Sequence, residues 1–294
     1  MNREAIDRIH FFKMTGTGND FMVIDNRRNL IPADRCQDFV RRACRHKLSV
    51  GADGVILIES DPEADFKWRF FNADGSEAEM CGNGARCAAR FAHLTGIVDR
   101  PRMAFRTLAG IVQAELLGHR VKVQMTSPHD LRMDLRIEAD GRSFDLDFLN
   151  TGVPHAVCAL ADERELESID VLRWGRVLRF HAHFQPAGAN VDFVCVQDAH
   201  HMIIRTYERG VEGETLACGT GSIASALISA ARERVVSPVQ VRTRSGESLT
   251  ISFRISRGLQ RPDDIQFKEV SLEGEARVAY EADLWTETIQ DSPH

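Results

Sequence analysis

The sequence lacks the features of three large classes of protein. No apolar run reaches the roughly 18 residues that a membrane-spanning helix needs. The net charge of -6 gives no electrostatic support for binding nucleic acid. The first ten residues carry charges of both signs and no apolar stretch, which is not typical of a signal peptide. We therefore expect a cytoplasmic protein that acts on a small molecule and binds neither membranes nor nucleic acid.

Cysteine spacing excludes two further kinds of site. None of the seven cysteines forms a C-x-x-C pair, the spacing typical of zinc ribbons and thioredoxin-type redox sites. Their odd number in a chain of 294 residues argues against a disulfide framework. Cys158 and Cys195 lie in apolar, strand-like runs, so we expect both to be buried. We expect no metal ion.

Two other cysteines begin the same short pattern. Cys81, in EMCGNGARC, and Cys218, in LACGTGS, each have glycine one and three positions later and glutamate four positions earlier. A Gly-Ala pair begins thirty residues before each cysteine, and a Thr-Gly pair lies further upstream, at Thr15 and Thr151. The two cysteines are 137 positions apart. Three matching segments in one order indicate an internal duplication.

The duplication predicts an α+β fold of two pseudo-symmetric domains. We expect each domain to be a curved β-sheet around a central helix, with the active site in the cleft between them. The first would comprise residues 1–127, joined by a C-terminal strand within 272–294, and the second residues 128–271. Alternating or β-branched runs predict strands at RVKVQM, DLDFL, MIIRTY and SLTISF. Helices are predicted at 34–46, 85–94, 163–174 and 221–233.

A thiol at the start of a helix has unusual chemistry. The first N–H groups of a helix have no partner within it and carry partial positive charge. They lower the pKa of a nearby thiol and bind carboxylates. Glycines beside the thiol allow a ligand to approach the backbone closely. We therefore interpret Cys81 and Cys218 as acid–base groups beside anion sites, and Cys87, off the helical face of Cys81, as a packing residue.

Two such thiols would suit the inversion of a carbon next to a carboxylate. One thiolate would remove the α-proton, and the opposite thiol would deliver a proton to the other face. Helix N–H groups aimed at the carboxylate would stabilise the negative charge that develops there. General acid–base transfer typically adds about 10²–10⁴-fold in rate.

Five segments together resemble the diaminopimelate epimerases: TGTGNDF, FNADGSEAEMCGNGARCAARF, TGVPHAV, GANVDFV and YERGVEGETLACGTG. The resemblance covers roughly residues 11–284. It implies a cofactor-independent enzyme that interconverts LL- and meso-diaminopimelate in lysine and peptidoglycan synthesis. It also implies two pseudo-symmetric domains and a homodimer.

The resemblance also implies roles for particular residues. Cys81 and Cys218 match the two catalytic cysteines, and His155 and Glu208 match residues that tune the thiols. The positions that match substrate-binding residues are Asn19, Asn72, Gly82, Asn83, Asn190, Glu208, Arg209, Gly219 and Thr220. Arg209 suits this role because a guanidinium binds a carboxylate with two hydrogen bonds.

Three other functions stay open at this point. Val153 and Gly54 stand where relatives carry Asn or Gln, so a racemase or epimerase of another amino acid with the same architecture is the first alternative. The second is a thiol redox protein that cycles a Cys81–Cys218 disulfide, which would need an electron acceptor. The third is a binding module without catalysis. A competition assay over amino acids would test the first alternative, and activity of the reduced protein without an electron acceptor the second. Incubation with LL-diaminopimelate and no cofactor is the most informative single experiment.

Overall fold

The structure, a computed structural model, describes residues 8–258 and 265–289. Contacts divide the chain into two units, Met1–Val123 with Gly274–His294 and Gln124–Glu273. The predicted boundaries lie at 127/128 and 271/272. That each unit is an independent domain stays a prediction. The start of the chain used in the signal-peptide argument (1–7) and the end of the predicted C-terminal strand (290–294) lie outside the described residues.

Strands make up most of the regular structure. The first eight are β1 (Arg8–Gly16), β2 (Asn19–Asp25), β3 (Gly54–Glu59), β4 (Phe66–Asn72), β5 (Glu77–Ala78), β6 (Arg102–Thr107), β7 (Gly110–Leu117) and β8 (Arg120–Gln124). The others are β9 (His129–Ala139), β10 (Arg142–Asn150), β11 (Pro154–Ala159), β12 (Asn190–Val196), β13 (His201–Glu208), β14 (Gly213–Thr215), β15 (Val239–Arg242), β16 (Ser248–Arg257), β17 (Ile265–Glu275) and β18 (Arg277–Trp285). All four predicted strand segments are confirmed, in β8, β10, β13 and β16.

The α-helices are α1 (Cys36–Ala43), α2 (Gly82–Leu94), α3 (Glu163–Ser168), α4 (Val171–Arg179) and α5 (Gly219–Ala231). Single turns of 3₁₀ helix lie at Ala182–Phe184 and Thr286–Ile289. The prediction of one helix over 163–174 is wrong. The side chain of Asp170 accepts a hydrogen bond from the N–H of Arg173 and begins a new helix there. The first helix therefore ends at Ser168, because Asp and similar residues favour helix starts over helix interiors.

The two units have the same strand order. In the first, the strands lie side by side as β18-β1-β2-β3-β4-β6-β7-β8, with β5 beside β4. In the second, the order is β9-β10-β11-β12-β13-β15-β16-β17, with β14 beside β13. The third and fifth neighbouring pairs are parallel in both units, and the others are antiparallel. This shared order confirms the internal duplication.

Each parallel pair is joined by a crossover that contains a helix, as parallel strands require. Helix α1 joins β2 to β3, and α2 joins β4 to β6. In the second unit, α3 and α4 join β11 to β12, and α5 joins β13 to β15. Helices α2 and α5 therefore follow the same step of the two repeats.

Helices α2 and α5 are the buried centres of their units. Helix α2 contacts β1, β2, β3 and β7, and α5 contacts β10–β13, β15 and β16. Since these strands are far apart in the strand order, each sheet must curve around its helix. Every residue of α5 from Gly221 to Ala231 is buried. The predicted curved sheet around a central helix is confirmed in each unit.

One close contact fixes the strand that ends at Glu208. A Cβ added at Gly175 in α4 would lie 2.3 Å from Cβ and 2.5 Å from Cγ of Tyr207. Tyr207 is buried in β13, directly before Glu208. The backbone of α4 at Gly175 therefore packs directly against Tyr207, and no side chain fits at position 175.

We expect Gly175→Ala to lower the free energy of unfolding by about 1–3 kcal/mol, because overpacking displaces Tyr207. Alanine normally stabilises a helix by about 1 kcal/mol relative to glycine, so the sign of the effect is diagnostic. Urea unfolding followed by circular dichroism measures the change. Gly213→Ala is the control, since its Cβ would meet nothing within 4 Å and no stability should be lost. A Gly175→Ala protein more stable than the parent would contradict this packing.

Candidate active site

Cys81 and Cys218 have the same local geometry. Both are the residue before the first helical residue, with φ/ψ of -145/115 at Cys81 and -127/112 at Cys218. In each case Sγ accepts a hydrogen bond from the N–H three residues later, Gly84 or Gly221, at 3.4 Å. Each thiol therefore caps its own helix, where a Ser, Thr, Asp or Asn is more usual.

The cap leaves two backbone donors at each helix start. Because the thiol takes the N–H of the third residue, the N–H groups of Gly82 and Asn83 have no acceptor inside α2. In α5, the N–H groups of Gly219 and Thr220 likewise have no acceptor inside the helix. These four residues were predicted to bind substrate, and their N–H groups are placed as helix-start anion donors.

In the first unit, amides form a directed chain beside Cys81. The Nδ2 of Asn83 donates to Oδ1 of Asn19 at 2.7 Å, and Nδ2 of Asn19 donates to Oδ2 of Asp53 at 3.0 Å. At the other end, the guanidinium of Arg86 donates to Oδ1 of Asn83 at 2.9 Å. Arg86 can only donate hydrogen bonds, and an ionised Asp53 can only accept them. Together they determine which atom of each amide, in Asn83 and Asn19, is the oxygen and which is the nitrogen.

Arg86 and Asp53 were missed in the sequence. The trace of Arg86 in the sequence is a charge among the small residues of GNGARCAA, and the structure buries that charge fully. Its guanidinium also donates to Oγ1 of Thr17 at 2.8 Å. Asn83 and Asn19 are therefore held together beside Cys81 by two residues, Arg86 and Asp53, to which the sequence had assigned no role.

Asn72 lies at the end of β4, opposite Gly54 in β3. Its Nδ2 donates to Oγ of Ser76 at 3.1 Å, within the turn that leads to β5. The same turn is tied to Asp53, because the N–H of Ala73 donates to the carbonyl of Asp53 at 3.0 Å. Asn72 is exposed, and the neighbouring Ala73 links its turn to the amide chain.

Gly54 has a steric explanation. A Cβ there would lie 2.4 Å from the carbonyl oxygen of Phe71 and 2.7 Å from Cε2 of Phe70. No side chain therefore fits at position 54 without a backbone shift. Val153 is half-buried in the loop before β11, where its carbonyl accepts the N–H of Thr151.

In the second unit, Cys218 is buried, and Thr220 joins it to the Thr-Gly segment. Its Sγ lies 3.4 Å from Oγ1 of Thr220. The hydroxyl of Thr151 donates to the carbonyl of Thr220 at 3.1 Å, which ties the Thr-Gly segment to the start of α5. Two of the three repeated segments therefore meet at this thiol.

The predicted lowering of the thiol pKa is wrong for Cys218. Burial raises its pKa well above that of an ordinary thiol, and the carboxylates of Glu208 and Asp192 raise it further. Hydrogen bonds from Thr220 and the N–H of Gly221 oppose the rise but do not cancel it. The helix start lowers a thiol pKa only when it outweighs desolvation and nearby negative charge.

His155 is one of a fully buried pair. Its Nδ1 lies 2.7 Å from Oδ2 of Asp192, and both side chains have no exposed surface. The hydroxyl of Thr206 donates to Oδ1 of the same carboxylate at 2.7 Å. Asp192 was missed in the sequence, although a carboxylate in the buried strand NVDFVCV is an unusual feature.

Asn190 joins two loops of the second unit. Its Nδ2 donates to the carbonyl of Pro154 at 3.0 Å, and its Oδ1 accepts the N–H of Arg209 at 2.8 Å. The guanidinium of Arg209 donates to the carbonyl of Ala187 at 3.3 Å. Glu208 acts on Cys218 through its charge. The predicted residues of this unit thus lie at the start of α5, at the starts of β11 and β12 and at the end of β13.

The remaining cysteines are packing residues or unassigned. Cys87, Cys158 and Cys195 are buried, as predicted. Burial raises the pKa of Cys87 to about 12 and that of Cys158 to about 12. Within residues 8–258 and 265–289, no group of three or more His, Cys, Asp or Glu side chains is arranged to hold a metal ion. No helix of that part of the chain is long and apolar enough to cross a membrane.

Comparison with known proteins decides the family. A family model described as diaminopimelate epimerase matches residues 11–130 and 148–257. A relative named diaminopimelate epimerase, from Aquifex aeolicus (strain VF5), is 46% identical over 293 residues, which cover 96% of this chain and 100% of the relative.

The chain belongs to the diaminopimelate epimerase family. Another member, from Hydrogenobaculum sp. (strain Y04AAS1), is 46% identical over 254 residues and covers 82% of this chain and 90% of its own length. The family model matches one segment in each half of the chain, in agreement with the duplication seen in the strand order.

More distant solved structures share the fold of this family member. A PhzF-family phenazine biosynthesis protein from Bacillus anthracis superposes with a TM-score of 0.71 at 15% identity, over 95% of this chain and 99% of that one. A hydroxyproline epimerase from Agrobacterium vitis superposes with a TM-score of 0.70 at 16% identity, over 95% of this chain and 93% of that one. At these identities the likeness concerns the fold alone.

The two thiols should differ in reactivity. At pH 8 we expect iodoacetamide to modify Cys81, which is half-buried, at least about tenfold faster than Cys218. Only the thiolate reacts, and a raised pKa keeps Cys218 protonated until the pH exceeds the usual range for thiols. Its rate should therefore climb with pH above 9, where an ordinary thiol levels off.

Peptide mass mapping of the native protein at several pH values measures both rates. Cys87, also buried with a raised pKa, is the internal control and should stay unmodified. In urea all three should react alike. Equal rates at Cys81 and Cys218 at pH 8 would show that the Cys218 pKa is not raised.

Proposed function

We propose that the protein interconverts LL- and meso-2,6-diaminopimelate, with Cys81 and Cys218 as the two acid–base groups. The observation that carries the proposal is the pair of thiols that cap α2 and α5 in the same way, each beside two backbone N–H groups with no acceptor inside the helix. The names of the family members of comparable length supply the substrate. A small-molecule amino acid is thus the expected partner.

The substrate carboxylate next to the reacting carbon is bound by helix-start donors. The N–H groups of Gly82 and Asn83, and those of Gly219 and Thr220, are the candidates. As the α-proton leaves, negative charge moves onto this carboxylate to give an enediolate-like species. Donors fixed before the reaction stabilise that charge without reorganisation, which is usually the largest contribution to catalysis of this kind.

Each turnover moves one proton off the carbon and one onto it. The thiolate on one face takes the α-proton and becomes a thiol. The thiol on the other face gives its proton to the carbon and becomes a thiolate. The configuration is inverted, no electrons are transferred, and the reverse reaction uses the same groups with their roles exchanged.

The surroundings of Cys218 suggest which group begins as the acid. Its pKa is raised, so Cys218 carries its proton at neutral pH when no substrate is bound. A turnover from that state uses Cys218 as the acid and Cys81 as the base. His155 and Glu208 are proposed to tune the two thiols.

Amides and a guanidinium are proposed to bind the rest of the substrate. The candidates are Asn19, Asn72, Asn190 and Arg209, with the carboxylate of Glu208 as a partner for an ammonium group. Such groups match a distal amino acid end, which offers both an ammonium and a carboxylate.

A second candidate function is epimerisation of another amino acid. The observation that favours it is the apolar Val153 together with Gly54, where no side chain fits. Both positions lack the amide that would bind the distal end of diaminopimelate. A competition assay with other amino acids distinguishes this candidate, and activity of the reduced protein without an electron acceptor distinguishes both from a redox protein.

Assembly and location are also proposals. Resemblance to the family implies a homodimer and implies that the two units are the two domains of the enzyme, whereas the cytoplasmic location is the expectation drawn from the sequence. Sedimentation of the purified protein tests the first of these.

The direct test is to incubate the purified, reduced protein with LL-diaminopimelate and to resolve the isomers. We expect meso-diaminopimelate to form without pyridoxal phosphate or added metal, and a chelator to leave the rate unchanged. Iodoacetamide should abolish the reaction. Activity that is lost with a chelator and restored by zinc would contradict the mechanism, and conversion of a different amino acid alone would favour the second candidate.

Deuterium labelling tests whether two bases act. In D2O the product should carry deuterium at the inverted carbon, because thiol protons exchange with water. The remaining substrate should stay nearly unlabelled at low conversion, since the group that takes its proton does not complete the inversion. Mass spectrometry of the separated isomers measures both labels.

The single variants Cys81→Ala and Cys218→Ala should lose epimerisation in both directions by about 10²-fold or more. Any residual solvent exchange should be confined to one isomer in one variant and to the other isomer in the other. Cys87→Ala is the matched control, and its rate should equal that of the parent. If Cys81→Ala epimerises at nearly the parental rate, the two-thiol mechanism is wrong and Cys81 is only a structural helix cap.

A further inference from the structure

Asp192, the buried partner of His155, lies outside the residues to which the family resemblance gives a role. Three neighbouring strands supply the side chains: His155 from β11, Asp192 from β12 and Thr206 from β13. Asp192 lies opposite Thr206 in the antiparallel register of β12 and β13. The three side chains form one hydrogen-bonded group in the interior of the second unit.

The contacts of Asp192 define where the proton of His155 lies. Oδ1 accepts the hydroxyl of Thr206 and Oδ2 faces Nδ1 of His155, both at 2.7 Å. An ionised carboxylate only accepts hydrogen bonds, so Nδ1 must carry a proton. In the neutral ring, Nε2 is then a bare lone pair.

That Nε2 is buried and has no hydrogen-bond partner within the described residues. Buried polar atoms in native proteins are nearly always satisfied, so an orphaned one calls for a functional explanation. The arrangement matches an imidazole that is kept ready to accept a proton.

The CGTG motif contributes to this arrangement. A Cβ added at Gly221 would lie 2.4 Å from Oδ1 of Asp192. The carboxylate therefore lies against the first turn of α5, one residue beyond Thr220, and its position requires glycine at 221. The positive end of a helix also stabilises a buried carboxylate.

We propose that Asp192 is a positioning residue that holds His155 with its proton on Nδ1, so that Nε2 can accept a proton from the catalytic thiol that acts as the base. The S–H bond breaks, the proton moves to Nε2, and the new imidazolium is balanced by the Asp192 carboxylate, which stays ionised. This inference rests on the proposed function for its consequence in catalysis, but the position of the proton on His155 can be tested separately.

The first experiment is nitrogen NMR of the full-length protein labelled with ¹⁵N-histidine. The His155 signals are identified among the eleven histidines by their loss in His155→Gln. We expect one protonated nitrogen, Nδ1, and one unprotonated nitrogen, Nε2. In Asp192→Asn, the Thr206 hydroxyl still donates to the side-chain oxygen of residue 192, so the new NH2 group faces Nδ1 of His155. Nδ1 can then only accept a hydrogen bond from that NH2 group. The proton should therefore move to Nε2.

The second experiment is steady-state kinetics of Asp192→Asn with both diaminopimelate isomers. We expect kcat to fall by about 10²-fold or more with KM within about threefold of the parent, because binding is retained while proton transfer is lost. A purely structural role for Asp192 would not move the proton on His155. The matched control is Asp198→Asn, which removes the carboxylate of an exposed Asp–His pair, Asp198 with His201, and should leave kcat unchanged.

Three results would overturn the proposal: a parent protein with the His155 proton on Nε2, an Asp192→Asn protein with an unmoved proton, or an Asp192→Asn protein with parental kcat. If Asp192→Asn does not fold, the parent spectrum alone decides. A parent with Nδ1 protonated but no activity on diaminopimelate would reject the proposed function and leave the positioning of His155 standing.

Discussion

The hydrogen bond from a helix-start N–H to a cysteine sulfur is the interaction on which the rest of this molecule depends. It occurs twice, at 3.4 Å from Gly84 to Cys81 and from Gly221 to Cys218. The thiol takes one backbone donor and leaves two for an anion. A helix start can serve chemistry only if it is held rigidly, and a sheet curved around each helix provides that support.

Duplication supplied the symmetry of the two thiols, and divergence made their surroundings different. Cys81 stands beside a chain of amides that runs from Arg86 to Asp53. Cys218 is buried among carboxylates, which raise its pKa. A reaction that inverts one carbon needs a base and an acid at the same moment. Different surroundings suit this reaction, because they allow one of the two thiols to be protonated while the other is not.

Some errors of sequence reasoning came from competing physical effects. The helix predicted over 163–174 is broken because Asp170 caps a second helix. The pKa of Cys218 rises because desolvation and two carboxylates outweigh the helix start. The sequence did not predict the hydrogen bonds that join Asn83 to Asn19 and Asp192 to His155, since these partners are far apart in the chain and meet only in the folded unit.

The sequence by itself determined the repeat, the strands, the helix starts and the two cysteines, because each is encoded in short-range patterns of glycine, apolar alternation and spacing. Only the tertiary structure decided which strands are neighbours, which polar groups are buried, and therefore how Asn19, Asn83 and His155 are oriented. Burial and charge at a site are sums over residues distant in sequence, and a local pattern does not contain them.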